Sequence, residues 1–213
     1  MERNIILFDV ETTGLKNTDE VIQFSAIVVH QIDNQIKVKN VISFYCDTNI
    51  IISPEASKVN GITNSMLKEL SGGKYFEEQI CKYPEIVSPS IQTVFVSYGI
   101  DFDTRLVNQT LSQNGYDRIN FGRKFSNIPR SGDGISCFCL LELCRQIYGR
   151  GTRLKLQYVM QHHIKTNLLD SLYFKMKKEF NIPSSALDGF HDSLYDSVAC
   201  LAIFIHNRLH LAY

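Results

Sequence analysis

No apolar run in these 213 residues approaches the roughly 20 needed for a membrane-spanning helix, so no membrane segment is expected. A secretory leader is not expected either. Met1-Glu2-Arg3-Asn4 leads straight into a strand-like run, and a cytoplasmic, intracellular protein is the expectation. There is no net charge, because 22 Lys and Arg balance 22 Asp and Glu. A strong non-specific nucleic-acid binder needs a positive surplus, which this chain lacks overall. The balance is uneven, however. Residues 1–106 hold 9 basic against 14 acidic side chains, and residues 107–213 hold 13 against 8. A local basic surface beside an acidic site is therefore compatible with neutrality.

The six cysteines form no framework. Cys46, Cys81, Cys137, Cys139, Cys144 and Cys200 are scattered, mostly among apolar neighbours, and read as reduced and buried thiols. The cluster of Cys137, Cys139 and Cys144 matches no common zinc spacing. No internal repeat, low-complexity segment or linker breaks the chain. A single α/β domain over 1–213 is expected, with strands concentrated in the first half and helices in the second.

What is present begins at Ile5-Ile6-Leu7-Phe8-Asp9-Val10-Glu11-Thr12-Thr13-Gly14-Leu15. Ile5 to Val10 has the near-continuous apolar character of a strand covered on both faces. Alternation with a period of two puts Asp9 and Glu11 on the same face. Two like charges there repel each other and are costly to desolvate, and a divalent cation between them removes that cost. The alternative is a strand end with two solvated acids. Gly14 permits a sharp exit.

Further along, Val21–Ile32 and Gln35–Cys46 read as a hairpin through Asp33-Asn34. Asp47–Gly61 reads as irregular. Thr63 is a candidate N-cap for a helix over Asn64–Leu70, and a further helix is expected over Tyr75–Tyr83. Ile91–Ser97 has the β-branched content of a central strand. Asp103–Gln113 is helical in spacing, while Tyr116–Ile135 reads as a long loop. Helices are then expected over Phe138–Tyr148, Arg153–His163, Leu168–Phe180 and Phe190–Leu209.

Two more acids invite attention. Asp103, with Asp101 as a competitor, follows the Ile91–Ser97 strand and opens a helix, where an anion is favoured and where Asp is also a common cap. Asp196 lies at the margin of the last helix's apolar face, and His191 stands at that helix's entrance. A neutral His near a metal-bound water suits a general base. Four carboxylates and one His together suggest a two-metal phosphodiester site, and oxygen donors suit Mg²⁺ or Mn²⁺.

These residues resemble the DnaQ-like, or DEDDh, 3′–5′ exonucleases. Asp9-Val10-Glu11-Thr12-Thr13-Gly14 matches the family's first motif, Asp-x-Glu-Thr-Thr-Gly. His191 to Asp196 matches the third, a His followed five residues later by Asp. The second commonly reads His-Asn-Ala-x-Phe-Asp, and Tyr98-Gly99-Ile100-Asp101-Phe102-Asp103 keeps its Phe-Asp ending, which points to Asp103 over Asp101. Ser53-Pro54-Glu55-Ala56 with Val59-Asn60-Gly61-Ile62-Thr63 is similar to a further family segment, Asn60 standing where His is usual. Leu154–Ile164 resembles the Leu-rich helix before the third motif, and Asn167–Ser185 is longer than the family needs.

The resemblance implies a ribonuclease H-like mixed central β-sheet flanked by α-helices. It implies two divalent cations, Mg²⁺ or Mn²⁺, held by Asp9, Glu11, Asp103 and Asp196, with His191 deprotonating the attacking water. Thr12, Thr13, Leu15 and Phe102 would border the substrate's 3′ end, though Phe102 could equally be a core residue. The implied partners are single-stranded DNA or RNA 3′ ends and a DNA polymerase. The leading expectation is removal of 3′ nucleotides as 5′-monophosphates, with DNA favoured. The alternatives are an RNA-trimming exoribonuclease and a non-catalytic binding module. Arg123, Lys124, Arg130, Arg145, Arg150, Arg153 and Lys155 form either a nucleic-acid track or scattered surface charge.

Overall fold

A computed structural model of the chain describes residues 2–129, 132–149, 154–164, 166–182, 189–207 and 209. Strand β1 (Glu2–Thr12) lies inside a six-stranded sheet. Its antiparallel neighbour β2 (Val21–Ile32) pairs in turn with β3 (Gln35–Tyr45), the hairpin read from Asp33-Asn34. On its other side β1 runs parallel to β4 (Thr93–Ser97). Beyond β4 lie β6 (Ser136–Cys139) and β5 (Arg123–Phe125), giving the order β3-β2-β1-β4-β6-β5. The mixed sheet expected from the sequence is thus present.

The alternation along β1 sorts the core into two layers. Ile5 and Leu7 face one cluster, with Val94, Val96 and the helices α7 (Leu156–His163), α8 (Thr166–Glu179) and α9 (Ser193–His206). Ile6, Phe8 and Val10 face the other, with Phe24, Phe95, Phe121 and helix α5 (Ile100–Gln113). Phe8 stacks on Phe121 at 5.6 Å between centroids and meets Phe95 edge-on. Aromatic area of this kind supplies much of a core's burial energy. Asp9 and Glu11 share their parity with Ile5 and Leu7, so they emerge at the end of the layer occupied by α9.

Three elements differ most from the sequence reading. Asp47–Gly61 is not wholly irregular, because α1 (Pro54–Asn60) forms there. Ser53 caps it by accepting from the Ala56 N–H at 3.1 Å, and Pro54 sits at the first helical position. The Tyr116–Ile135 loop carries the short strand β5. The helix expected from Phe138 begins only at Leu140 (α6, Leu140–Tyr148), since Ser136–Cys139 is a buried parallel strand. Four short, fully buried residues have no periodicity that separates strand from helix. Short helices α2 (Asn64–Ser71), α3 (Phe76–Ile80) and α4 (Pro84–Val87) complete the described elements, and Thr63 caps α2 as expected. In the Asn167–Ser185 segment, α8 packs on α9 through Leu169, Tyr173 and Met176, while residues 183–185 lie outside the described part. Of the six cysteines, five are buried, Cys81 is exposed and all are free thiols. No described helix is long and apolar enough to cross a membrane.

Candidate active site

Asp9 stands opposite Ser25 and Glu11 opposite Gln23 across the β1–β2 ladder. Directly opposed residues share a face, so Ser25 and Gln23 form the floor beside the two acids. That floor docks the start of α9. Gln23 donates from Nε2 to Asp192 at 2.8 Å and accepts from the Ser193 N–H at 3.2 Å. The Ser25 and Ser193 hydroxyls lie 2.7 Å apart, and Ser197 donates to the Ser25 carbonyl. Asp192 caps the helix, accepting from the Leu194 and Tyr195 N–H groups. One turn on, Asp196 is therefore delivered to the acids of β1.

Asp196 is 8% exposed. Its Oδ2 accepts from the His191 N–H at 3.3 Å, and its buried Oδ1 has no hydrogen-bond partner. His191 adopts φ of +71°, a left-handed conformation uncommon for a residue with a side chain. This turn brings His191 back over the site. Ligand atoms of Glu11, His191 and Asp196 lie within 4.8 Å of one another, the one such group among the described residues.

Asp103 arrives from the opposite layer. The sequence offered it as an N-cap, but α5 begins three residues earlier behind Gly99, so Asp103 sits inside the first turn. It is 3% exposed, and Ser97 at the end of β4 donates to its Oδ2 at 2.5 Å. Asp101, its competitor in the sequence, is exposed and pairs with Lys124 at 2.6 Å.

The four acids form one electrostatic unit. Burial pushes the Asp9 carboxyl well above its usual range, and the charges of Asp103, Asp196 and Glu11 add to the shift. Glu11 is raised by burial and then by Asp196, Asp192 and Asp103, while a hydrogen bond from Asn60 opposes. Burial pushes Asp103 up to about 7 against the stabilising Ser97 and Gly99 donors. Asp196 also rises to about 7, chiefly through burial. Burial and the Lys155 charge lower the His191 imidazole, favouring its neutral form.

A cavity of about 780 Å³ opens beside Glu11, lined in part by Thr12, Leu15, Ile51, Val59, Asn60 and Phe102. Leu15 is 75% exposed at its mouth. Thr13 does not line it. This residue is wholly buried, its hydroxyl donating to Asp19 at 3.0 Å and accepting from the Glu20 N–H. It holds the loop after β1, where the Ser53 N–H reaches the Thr13 carbonyl and ties α1 to the site. Gly14 serves the same loop by leaving space, since a Cβ there would meet the Asp19 carboxylate at 2.6 Å.

Two functional-looking residues escaped assignment from sequence. Asn60 is buried, donates to the Thr12 carbonyl at 3.3 Å and accepts from the Ile62 N–H. Its place beside Glu11 was signalled only by its departure from the family's His. Asp192 fell inside the helix expected from Phe190; the helix begins only at Ser193, which makes Asp192 its cap. Of the basic residues, Lys124 is neutralised by Asp101 and Glu142, and Arg123 lies over the Phe125 ring. Arg130, Arg150 and Arg153 lie outside the described residues.

The family RNase_T, described as exonuclease, matches residues 6–204, nearly the whole chain. The chain belongs to this exonuclease family. Its group is the DnaQ-like 3′–5′ exonucleases of the ribonuclease H-like superfamily. A curated relative, the DNA polymerase III PolC-type of Caldanaerobacter subterraneus subsp. tengcongensis, is 29% identical over 116 residues, 54% of this chain and 8% of the polymerase. Among solved structures, E. coli exonuclease I with single-stranded DNA and zinc superposes with a TM-score of 0.60 at 19% identity, covering 98% of this chain and 41% of that one. Exonuclease X bound to 5′-overhanging duplex DNA gives 0.51 at 18%, covering 96% of this chain and 90% of the other. The chain thus spans well under two thirds of the polymerase and of exonuclease I.

Proposed function

We propose that this exonuclease-family chain is a metal-dependent 3′–5′ exonuclease, folded as one domain, that removes nucleotides from single-stranded 3′ ends as 5′-monophosphates. One observation carries the reading: Glu11, Asp196 and His191 come together with Asp9 and Asp103 close enough to share their charge, and the buried Asp196 Oδ1 has no hydrogen-bond partner. An unsatisfied buried carboxylate oxygen costs on the order of 1–3 kcal/mol, a penalty that a cation relieves. The donor set is hard oxygen with one imidazole, which fits divalent metals of the Mg²⁺ or Mn²⁺ kind.

Asp9, Glu11, Asp103 and Asp196 would hold two such ions, which when bound acidify a water and neutralise charge on the phosphate. The remaining tasks fall to the chain. Burial and Lys155 keep His191 neutral, so its ring can accept the proton of the attacking water. Ser97 fixes the rotamer of Asp103, and Gln23 fixes the helix that carries Asp196. The cavity beside Glu11 would take the terminal nucleoside, with Leu15, Val59 and Phe102 against its base and Thr12 at its sugar. Thr13 contributes through the loop instead of by contact.

Single-stranded DNA is the favoured substrate, in keeping with the exonuclease I neighbour crystallised on it. The polymerase relative brings association with a DNA polymerase into the same proposal. An exoribonuclease of this fold would differ at the ribose, where tolerance of the 2′-hydroxyl decides. The test is degradation of 5′-end-labelled single- and double-stranded DNA and RNA with Mg²⁺, Mn²⁺ or EDTA. Ladders that shorten from the 3′ end, stop in EDTA and vanish with Asp9→Ala are expected. Undiminished degradation by purified Asp9→Ala protein sinks the reading.

A further inference from the structure

Tyr98 stands where the family's second motif has His, and its hydroxyl donates to the Leu154 carbonyl. Since β4 ends at Ser97, beside Asp103, this bond ties the entry of α7 to the site end of the sheet. Lys155 follows as the exposed N-cap residue of α7, directly after the Leu154 carbonyl that Tyr98 holds. From there Tyr158 and His162 continue along the same face, at helical spacings of three and four residues. Both are exposed, Tyr158 by 44%, and their rings stack with centroids 4.0 Å apart and planes 17° from parallel. The pair, held locally by the His162 Nδ1 contact to the Tyr158 carbonyl at 2.9 Å, stands off the inward face of α7, which is Leu156, Val159 and Met160.

We propose that the Lys155–Tyr158–His162 face of α7 is a binding track for the single strand 5′ of the scissile phosphate. The inference rests on the exonuclease reading above and names where the rest of the substrate lies. The cavity beside Glu11 accounts for the terminal nucleoside, and none of its lining comes from α7 or α9. A strand with its end in that cavity and its last phosphodiester at Glu11, Asp196 and His191 has to continue beyond the acids, and the entry of α7 is held to that end of the sheet through Tyr98. One cation beside two stacked flat rings complements an anionic backbone with π-faced bases. The strand is sequence-tolerant at this place, since every base offers a face and no base-edge readout is involved.

The experiment compares kcat/KM for two oligothymidylates, a dinucleotide and a decanucleotide, with Mn²⁺. The dinucleotide fills the cavity and the metal-binding acids but ends before α7; the decanucleotide continues onto it. Wild-type protein is expected to favour the decanucleotide, and the Tyr158→Ala/His162→Ala double variant to lose about tenfold of that preference, the order of effect that stacking on an aromatic ring produces. Tyr158→Phe, which keeps the ring, should retain it. Both positions are exposed, so thermal melting of the variants should match wild type. A length preference equal in the double variant and wild type overturns the track, as does a wild-type enzyme with no length preference. Failure of the wild type on both oligomers overturns the exonuclease reading itself, and the track with it.

Discussion

His191 shows what a single backbone angle does for a site. Its φ of +71° turns the chain so that its N–H and its ring serve the same acid cluster. His191→Ala should lower kcat by about 10²–10⁴-fold, the range for a lost general base. Calorimetric titration with Mn²⁺ should still show binding; a lost ion would place the imidazole among the ligands instead. Asn60 is a second residue whose part emerges only in three dimensions. It joins the Thr12 carbonyl, the Ile62 N–H and the Glu11 carboxylate. Asn60→Ala removes a donor from beside Glu11, and weaker Mn²⁺ binding in the same titration is the expected outcome. At this scale the sequence was most readable where charge appeared in an apolar run. Asp9 and Glu11 stood out on that ground alone. Asp103 did not, because an Asp near a helix start has a commoner explanation as a cap; only its burial and the Ser97 bond set it apart.

At the scale of elements, the placing of α9 matters most. Its cap, Asp192, bonds at once to its own helix and to Gln23 of β2. Asp192→Ala should cost about 0.5–2 kcal/mol of stability, as lost caps do. Because the same side chain anchors the turn that carries His191 and Asp196, kcat should fall further than that destabilisation explains, which denaturant melts and kinetics on the same sample will separate. Gly122 marks the other end of the sheet. It has φ of +71°, and a Cβ there would lie 1.8 Å from the Ile135 carbonyl oxygen, where β5 begins against β6. Gly122→Ala should therefore disturb the β5–β6 edge and lower the melting temperature, whereas the open, positive-φ Gly115 should tolerate the same change better. Sequence patterning found the long elements, whose apolar spacing repeats several times. It missed α1 and β6, which are too short for a period to declare itself. For α1 the Ser53-Pro54 pair was the available sign, a cap followed by the residue best suited to the first helical position.

For the whole molecule, the acid cluster couples folding to pH. Asp103 and Asp196 hold protons up to about 7, whereas unfolded aspartates release theirs near ~4. Between those values the folded chain binds more protons than the unfolded one, so stability is fullest below about 4 as far as these groups are concerned and declines as pH rises towards about 7. In EDTA the melting temperature should fall across this window, and added Mn²⁺ at pH 8 should restore it. A melting temperature indifferent to both would mean that the cluster is neither strained nor metal-binding. The docking of α9 on β2 through Ser25 and Ser193 has a further consequence, one of timing. During synthesis Asp9 and Glu11 emerge early, and Asp103 follows midway. The fourth acid and the histidine arrive only with the α9 segment, and they take their places only when that helix seats against a strand made long before. Contacts so distant in sequence form late and slowly. A nascent or truncated chain stopping before α9 thus carries three of the acids without the fourth or the histidine, and the proposed nuclease action would wait for the fold to close.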